Sequence, residues 1–350
     1  LWVVLAFFLF KEGFVRHDSG HAVVCLGGLL GGFMAFRWSP DYRPFGLAGI
    51  AAMFIMLLAA QSSIPGQPQS LVEPFNPLSN MGFLASELHG ITSELKRAQL
   101  IREGRAAIQA ADRVDSRSLA LLQGRTVSVY PTEIAIIWAY GLTWHPLPVL
   151  QSYSAYTPTL DEVDADALTS RRAPERILYV AGGSIDGRVL SFDEGITSRS
   201  LLCRYRTMRA TQTLVVLGHS LNRCAAVRRL SVVHADWGQA VSVPRPRARM
   251  LVYVRIDGVN PRGLESVRSL LFRPHTREVV LDGAPHRLVS ANAIDGLPLR
   301  AAPGVDFPGP AKLAPDAATI AVAKDGQGRT GRRPITFSFY SEFISPSGKP

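Results

Sequence analysis

The sequence predicts helical transmembrane segments, then a soluble α/β sandwich, then a β-rich, sandwich-like C-terminal region. Three observations predict this. Residues 1–64 hold only 7 of the 66 charged residues, as membrane-embedded helices do. From about residue 119, short apolar runs alternate with helix-period runs. Beyond residue 225 the helical periods fade, and four of the five Asp-Gly pairs fall in the last third, where they suit tight hairpins.

Three apolar stretches open the chain. Leu1–Phe10 is too short to cross a bilayer and begins without a Met, so it is read as the end of a longer span. Gly20–Trp38 and Phe45–Ile64 have 19 and 20 residues, close to the roughly 20 that a hydrocarbon core needs as helix. Residues 1–64 are thus expected to be the C-terminal end of a longer membrane domain. Residues 61–95 hold Glu73, Glu87 and Glu94 but no Lys or Arg. Positive residues collect on the cytoplasmic side, so the remainder is expected outside the cytoplasm, on a multi-pass protein of a bacterial inner membrane. Cys203 and Cys224 are the only cysteines of that remainder, and a disulfide between them suits an exported domain.

Residues 65–118 read as a linker and an amphipathic helix, with Leu84, Leu88, Ile91 and Leu95 at helical spacing. Residues 119–225 read as the α/β part. Strands are expected at 125–130, 176–180 and 211–217, with a further short one at 148–151. Helices are expected at 132–140, 157–168 and 193–204, the second beginning with Thr-Pro and acids in its first turn. Residues 226–350 read as the β-rich part. Residues 225–300 hold 12 Arg and 6 acids. Nucleic acid is not expected as a partner outside the cytoplasm; anionic lipid is the better fit, and a solvated Arg-rich surface the simpler one.

Two groups of residues carry candidate chemistry. The first is the charged run from Lys11 to His21 between two apolar stretches. Asp18 and then Glu12 are the choices for a catalytic carboxylate, and Lys11 and Arg16 for holding a phosphate. A polar loop anchoring helices is the plain alternative. The second is the aromatic segment from Trp144 to Asp161. Rings beside amides and hydroxyls suit a sugar, so Trp144, Gln151, Tyr153, Tyr156 and Asp161 are candidate glycan contacts; a strand and turn with core aromatics is the alternative. The run Thr213–Asn222 looks like the nucleophile turn of α/β-hydrolases. Asn222 stands where that pattern needs Gly, and the run beyond Ser220 is short for the helix that must follow, so Ser220 is not expected to be a nucleophile. There is no phosphate-binding Gly loop, zinc Cys pattern or dinucleotide fingerprint, and no cofactor or metal is expected.

The segments KEGFVRHDSGH, WHPLPVLQSYSAYTPTLD, APERILYV, SIDGR and SLLCRY resemble an uncharacterised family of bacterial polytopic membrane proteins with a large extracytoplasmic C-terminal domain. The resemblance covers about residues 8–225. It implies many spans, a charged loop late in the membrane part, and an exported domain, but no activity. The layout is loosely similar to membrane glycosyltransferases that use polyprenyl-phosphate sugars, an analogy of architecture only. Two functions are therefore expected: a glycosyltransferase-like enzyme with a lipid-phosphate sugar donor, or a non-enzymatic envelope protein whose exported domain binds glycan or a protein partner.

Overall fold

The computed structural model describes residues 2–15, 19–35, 38–62, 77–182, 185–271, 276–324 and 334–345. The chain forms two compact units: Leu1–Leu100 with Pro261–Pro274, and Ile101–Asn260 with His275–Pro350.

The first unit opens with helices α1 (Trp2–Val15), α2 (Ser19–Ala35) and α3 (Arg43–Ser62). Neighbours pack closely where a glycine meets a larger side chain, as Gly28 does against Leu9 and Gly49 against Phe33. The expected series of transmembrane segments is not what forms. At 1.5 Å per residue, the described part of α2 reaches about 26 Å, short of a core about 30 Å thick. Among the described residues one helix, Pro40–Ala60, is long and apolar enough to cross a membrane. Apolar composition alone misled the count, because, of the three apolar stretches, one coincides with a described helix long enough to span. Lys11 and Glu12 lie inside α1 and His21 inside α2 rather than in a loop of eleven residues. Helix α4 (Pro77–Thr92) follows, then the start of α5 (Glu94–Ala111). Ser93 caps α5, its hydroxyl accepting from Lys96 N at 3.3 Å; Ser93 N closes α4 on His89 O, and Ser93 O accepts the first bond of α5 from Arg97 N.

The second unit holds a five-stranded mixed sheet and two four-stranded antiparallel sheets. Helix α6 (Ser116–Leu122) is capped by Asp115, which accepts from Arg117 N and Ser118 N. Then come β1 (Thr126–Tyr130), α7 (Ala135–Tyr140), β2 (Thr143–Trp144), α8 (Pro158–Thr169), β3 (Arg176–Val180), α9 (Leu190–Asp193), α10 (Gly195–Arg204), β4 (Tyr205–Ala210) and β5 (Leu214–His219). The sheet order is β2-β1-β3-β5-β4, with β1 parallel to both β2 and β3 and the other pairs antiparallel. Strand β3 shows why it forms. Ile177 and Tyr179 enter one core with Leu168, Leu201 and Leu202, while Leu178 and Val180 enter another with Ile136 and Ile137. A sheet covered on both faces needs this unbroken apolar run.

Strands β6 (Cys224–Ala235), β7 (Val241–Ser242) and β8 (Met250–Asp257) follow. Helix α11 (Leu264–Leu271) belongs to the first unit. The chain then completes the sheets with β9 (Arg277–Leu281), β10 (Ala284–Leu288), β11 (Leu297–Ala301), β12 (Thr319–Lys324) and β13 (Ile335–Ile344). The orders are β10-β9-β12-β7 and β11-β8-β13-β6. Val279, Leu281 and Ile320 of one sheet share a core with Val252, Val254, Phe337 and Phe339 of the other. Asp282 and Gly283, at φ 49° and 88°, make the two-residue turn between β9 and β10, where both central residues need positive φ. Residues 148–151 are not a strand; β2 ends at Trp144.

Candidate functional site at the carboxyl end of β1

Strand β1 has β2 on one side and β3 on the other, both parallel to it. In open α/β sheets, ligands bind beyond the carboxyl ends of strands where the order reverses in this way. The aromatic segment reaches that place by running beside β1. His145 N donates to Val127 O, and Ser152 N donates to Pro131 O. Its turn is then pinned from below by Arg188, which is 2% exposed. Nη1 of Arg188 donates to Tyr153 O at 3.2 Å and pairs with Asp193 Oδ1 at 2.9 Å. The guanidinium also lies 5.5 Å from the ring centroid of Tyr156. Asn292 Nδ2 donates to Ala155 O and Asp193 O.

Three of the five glycan candidates gather at this turn. The Tyr153 hydroxyl donates to Gln151 Oε1 at 2.6 Å, and the ring of Tyr156 is half-exposed. Trp144 is also half-exposed, but it pairs with Val127, four residues before Pro131, which is about 13 Å along the strand. Asp161 is elsewhere in kind. It is fully buried, and its carboxylate accepts from Ile196 N and Thr197 N, each at 2.8 Å. It therefore caps the first turn of α10 from a neighbouring helix.

Beneath the turn, Asp161 belongs to a group of acids whose other members the sequence reading did not single out. Asp161, Asp164, Ala165 and Leu168 form the buried stripe of α8, at the i, i+3, i+4, i+7 spacing of a helix face. Asp164 accepts from Val149 N at 2.8 Å, and burial pushes its carboxyl up to about 6. Glu194, between α9 and α10, is fully buried against Asp164 and Tyr130. Burial and then the charge of Asp164 push it well above the usual range. The Tyr130 hydroxyl is buried beside it, and burial pushes it well above its usual range. Asp295 is reached through a close approach: a Cβ on Gly195 would lie 2.9 Å from Gly296 O. Burial and the Asp161 charge push Asp295 up to about 7. The helical spacing of the two acids in α8 was the available signal, since it places charge where the helix needs a buried face.

The other candidates fall differently. Arg16 and Asp18 lie outside the described residues, as does the side chain of Glu12. Lys11 is on α1. Ser220 sits in the short turn between β5 and β6 and donates to Leu221 O at 3.2 Å; no helix follows it, so the strand-to-helix turn of a hydrolase is absent. Cys203 and Cys224 form a disulfide with Cα atoms 5.1 Å apart. Glu342 Oε1 lies 3.8 Å from Cys203 Sγ. These three are the only His, Cys, Asp and Glu group among the described residues with metal-compatible spacing, and the bridge leaves neither sulfur as a thiolate. No family model matches the chain, and no curated protein or solved structure matches it either.

Proposed function

We propose that the chain is an envelope protein held at a membrane by the helix Pro40–Ala60, with its sheet-bearing unit outside the cytoplasm as a glycan-binding module. The observation that carries the binding reading is the turn at the carboxyl end of β1. There the half-exposed ring of Tyr156 lies over a buried guanidinium, next to the hydrogen-bonded Gln151 and Tyr153. An aromatic ring with an amide and a phenol offers stacking for the apolar face of a sugar and bonds for its hydroxyls. Export is supported by the Cys203–Cys224 bridge, which persists in an oxidising compartment, and by the absence of Lys and Arg from 61–95.

The test has two arms. In intact cells, Cys203 and Cys224 should resist alkylation until a reductant is added; free reactivity of both would place the unit in a reducing compartment. The purified chain should bind fragments of envelope glycan, and Tyr156→Ala should weaken that binding at least tenfold. Trp144→Ala should leave it unchanged, because Trp144 is set apart along β1. Glycan binding that is indifferent to Tyr156 would move the site elsewhere, and no binding would remove the glycan reading.

A further inference from the structure

Met81, Leu84, Leu88, Ile91 and Leu95 follow one another at alternating steps of three and four residues, so they form a single stripe along α4 and the first turn of α5. Each is more than half exposed, from 51% at Leu88 to 85% at Leu95. A stripe of five large apolar side chains facing outward is not how a helix in water is stabilised. Four of the five, Met81 to Ile91, lie on α4; Leu95 continues the spacing beyond Ser93, where α4 ends and α5 is capped.

We infer that this stripe lies on a lipid surface, as an interfacial amphipathic helix. This rests on the anchoring part of the function proposed above. Three features name lipid as the occupant. The stripe belongs to the same compact unit as Pro40–Ala60, the helix long and apolar enough to span, which ends about 20 residues before Met81. A second segment of that unit, α11, also exposes apolar residues one turn apart, Leu264 at 88% and Val267 at 60%. Cations follow at once in the same helix, Lys96 and Arg97 directly after the stripe and Arg102 within two turns. Apolar side chains entering the acyl boundary beside cations that meet headgroup phosphates is the arrangement of helices that lie in the interface plane. A second copy of the chain fits less well. Taking the stripe as a seam, the flanking positions carry Glu87 and Glu94 against Thr92 and Gln99, which supplies no opposite-charge pairing across a parallel pair.

The experiment is site-directed spin labelling of the full chain in phosphatidylcholine vesicles with one-third phosphatidylglycerol, in a background where Cys25 is Ser. Labels replace, one at a time, Leu84, Leu88, Ile91 and Leu95 on the stripe, and Ser86 and Arg97 off it. A label at Ile55 in α3 reports the anchor. Stripe labels should be accessible to oxygen and shielded from a water-soluble nickel reagent, with the two accessibilities out of phase along the helix. Ser86 and Arg97 labels should show the reverse. If the Ile55 label is not in lipid, the anchor itself fails. If Ile55 is in lipid while the stripe labels are reached by the nickel reagent, the interfacial helix is wrong and the anchor stands. Spin–spin broadening at Leu88 that disappears on dilution with unlabelled chain would assign the stripe to a dimer, and immobile labels shielded from both reagents would assign it to a protein contact. Either result overturns the inference.

Discussion

The two units invert each other's burial. In the first, large apolar side chains point outward: Val3, Leu47, Ile55, Met81 and Ile91 are all more than 60% exposed apart from the buried pairings between α1, α2 and α3. In the second, ionisable side chains point inward: Asp161, Asp164, Glu194, Arg188 and Asp193 are at most 2% exposed. Exposed apolar surface costs stability only if the surrounding medium is water. A buried acid costs stability unless it is paired, bonded or protonated. The second unit shows two of these remedies directly, Asp193 paired with Arg188 and Asp161 bonded to two backbone amides, while burial pushes Glu194 well above the usual range, towards the third. The surplus of the first unit is therefore a statement about its surroundings, and that of the second a statement about its interior.

The strongest way to break this comparison is at Arg188. Its guanidinium neutralises Asp193, holds Tyr153 O and sits under Tyr156, all out of solvent. Arg188→Met keeps much of the volume and leaves Asp193 without its cation. Removing one partner of a buried pair costs about 3–5 kcal/mol, so the urea midpoint of the second unit should fall steeply. The double variant Arg188→Met with Asp193→Leu should recover part of the loss, because no unpaired charge remains. Equal loss in both variants would show that Arg188 acts through the turn and not through the pair.

A smaller effect is expected from pH. Burial raises Asp164 and Asp193 to about 6 and Asp295 to about 7 in the folded chain, against about 3.9 when unfolded. Between those values the folded state holds protons that the unfolded state has released. Stability therefore falls as pH rises from about 4 towards 7, and the contribution is fully lost above that. Asp295→Asn removes the highest of these values while keeping the shape. Chemical denaturation at pH 5 and pH 8 should show a smaller difference in midpoint for the variant than for the parent. An unchanged difference would mean that Asp295 titrates as an ordinary carboxyl in the folded chain.

Parts of this arrangement were legible in the residues themselves. The run Arg176–Val180 is the strand expected there, and of the Asp-Gly pairs expected in hairpins Asp282-Gly283 makes one. Thr157-Pro158 marked the start of α8, and Cys203 and Cys224 are bridged as expected. The series of spans was misread because hydropathy does not set helix length: the described helix over His21–Ala35 is apolar but shorter than a span. Strand β6 was missed because Ala226–Leu230 is exposed on both faces at a sheet edge, so it has no alternation to read. The buried acids were missed for a different reason. Acids early in a helix are ordinarily a dipole and capping signal, and Asp161 does cap a helix, but it is α10 and not its own.

The least change is expected where the first unit is most exposed. Leu88 is half exposed on the α4 stripe and supports no core of the second unit. Leu88→Gln should shift the denaturation midpoint of the sheet-bearing unit by no more than about 0.5 kcal/mol, the usual range for an exposed site. The same loss of an aliphatic side chain at Leu178, fully buried in β3, should cost about 2–5 kcal/mol as Ala. If Leu88→Gln instead destabilises the sheets as a core change does, the two units fold as one, and the outward apolar face is then part of an interior shared between them.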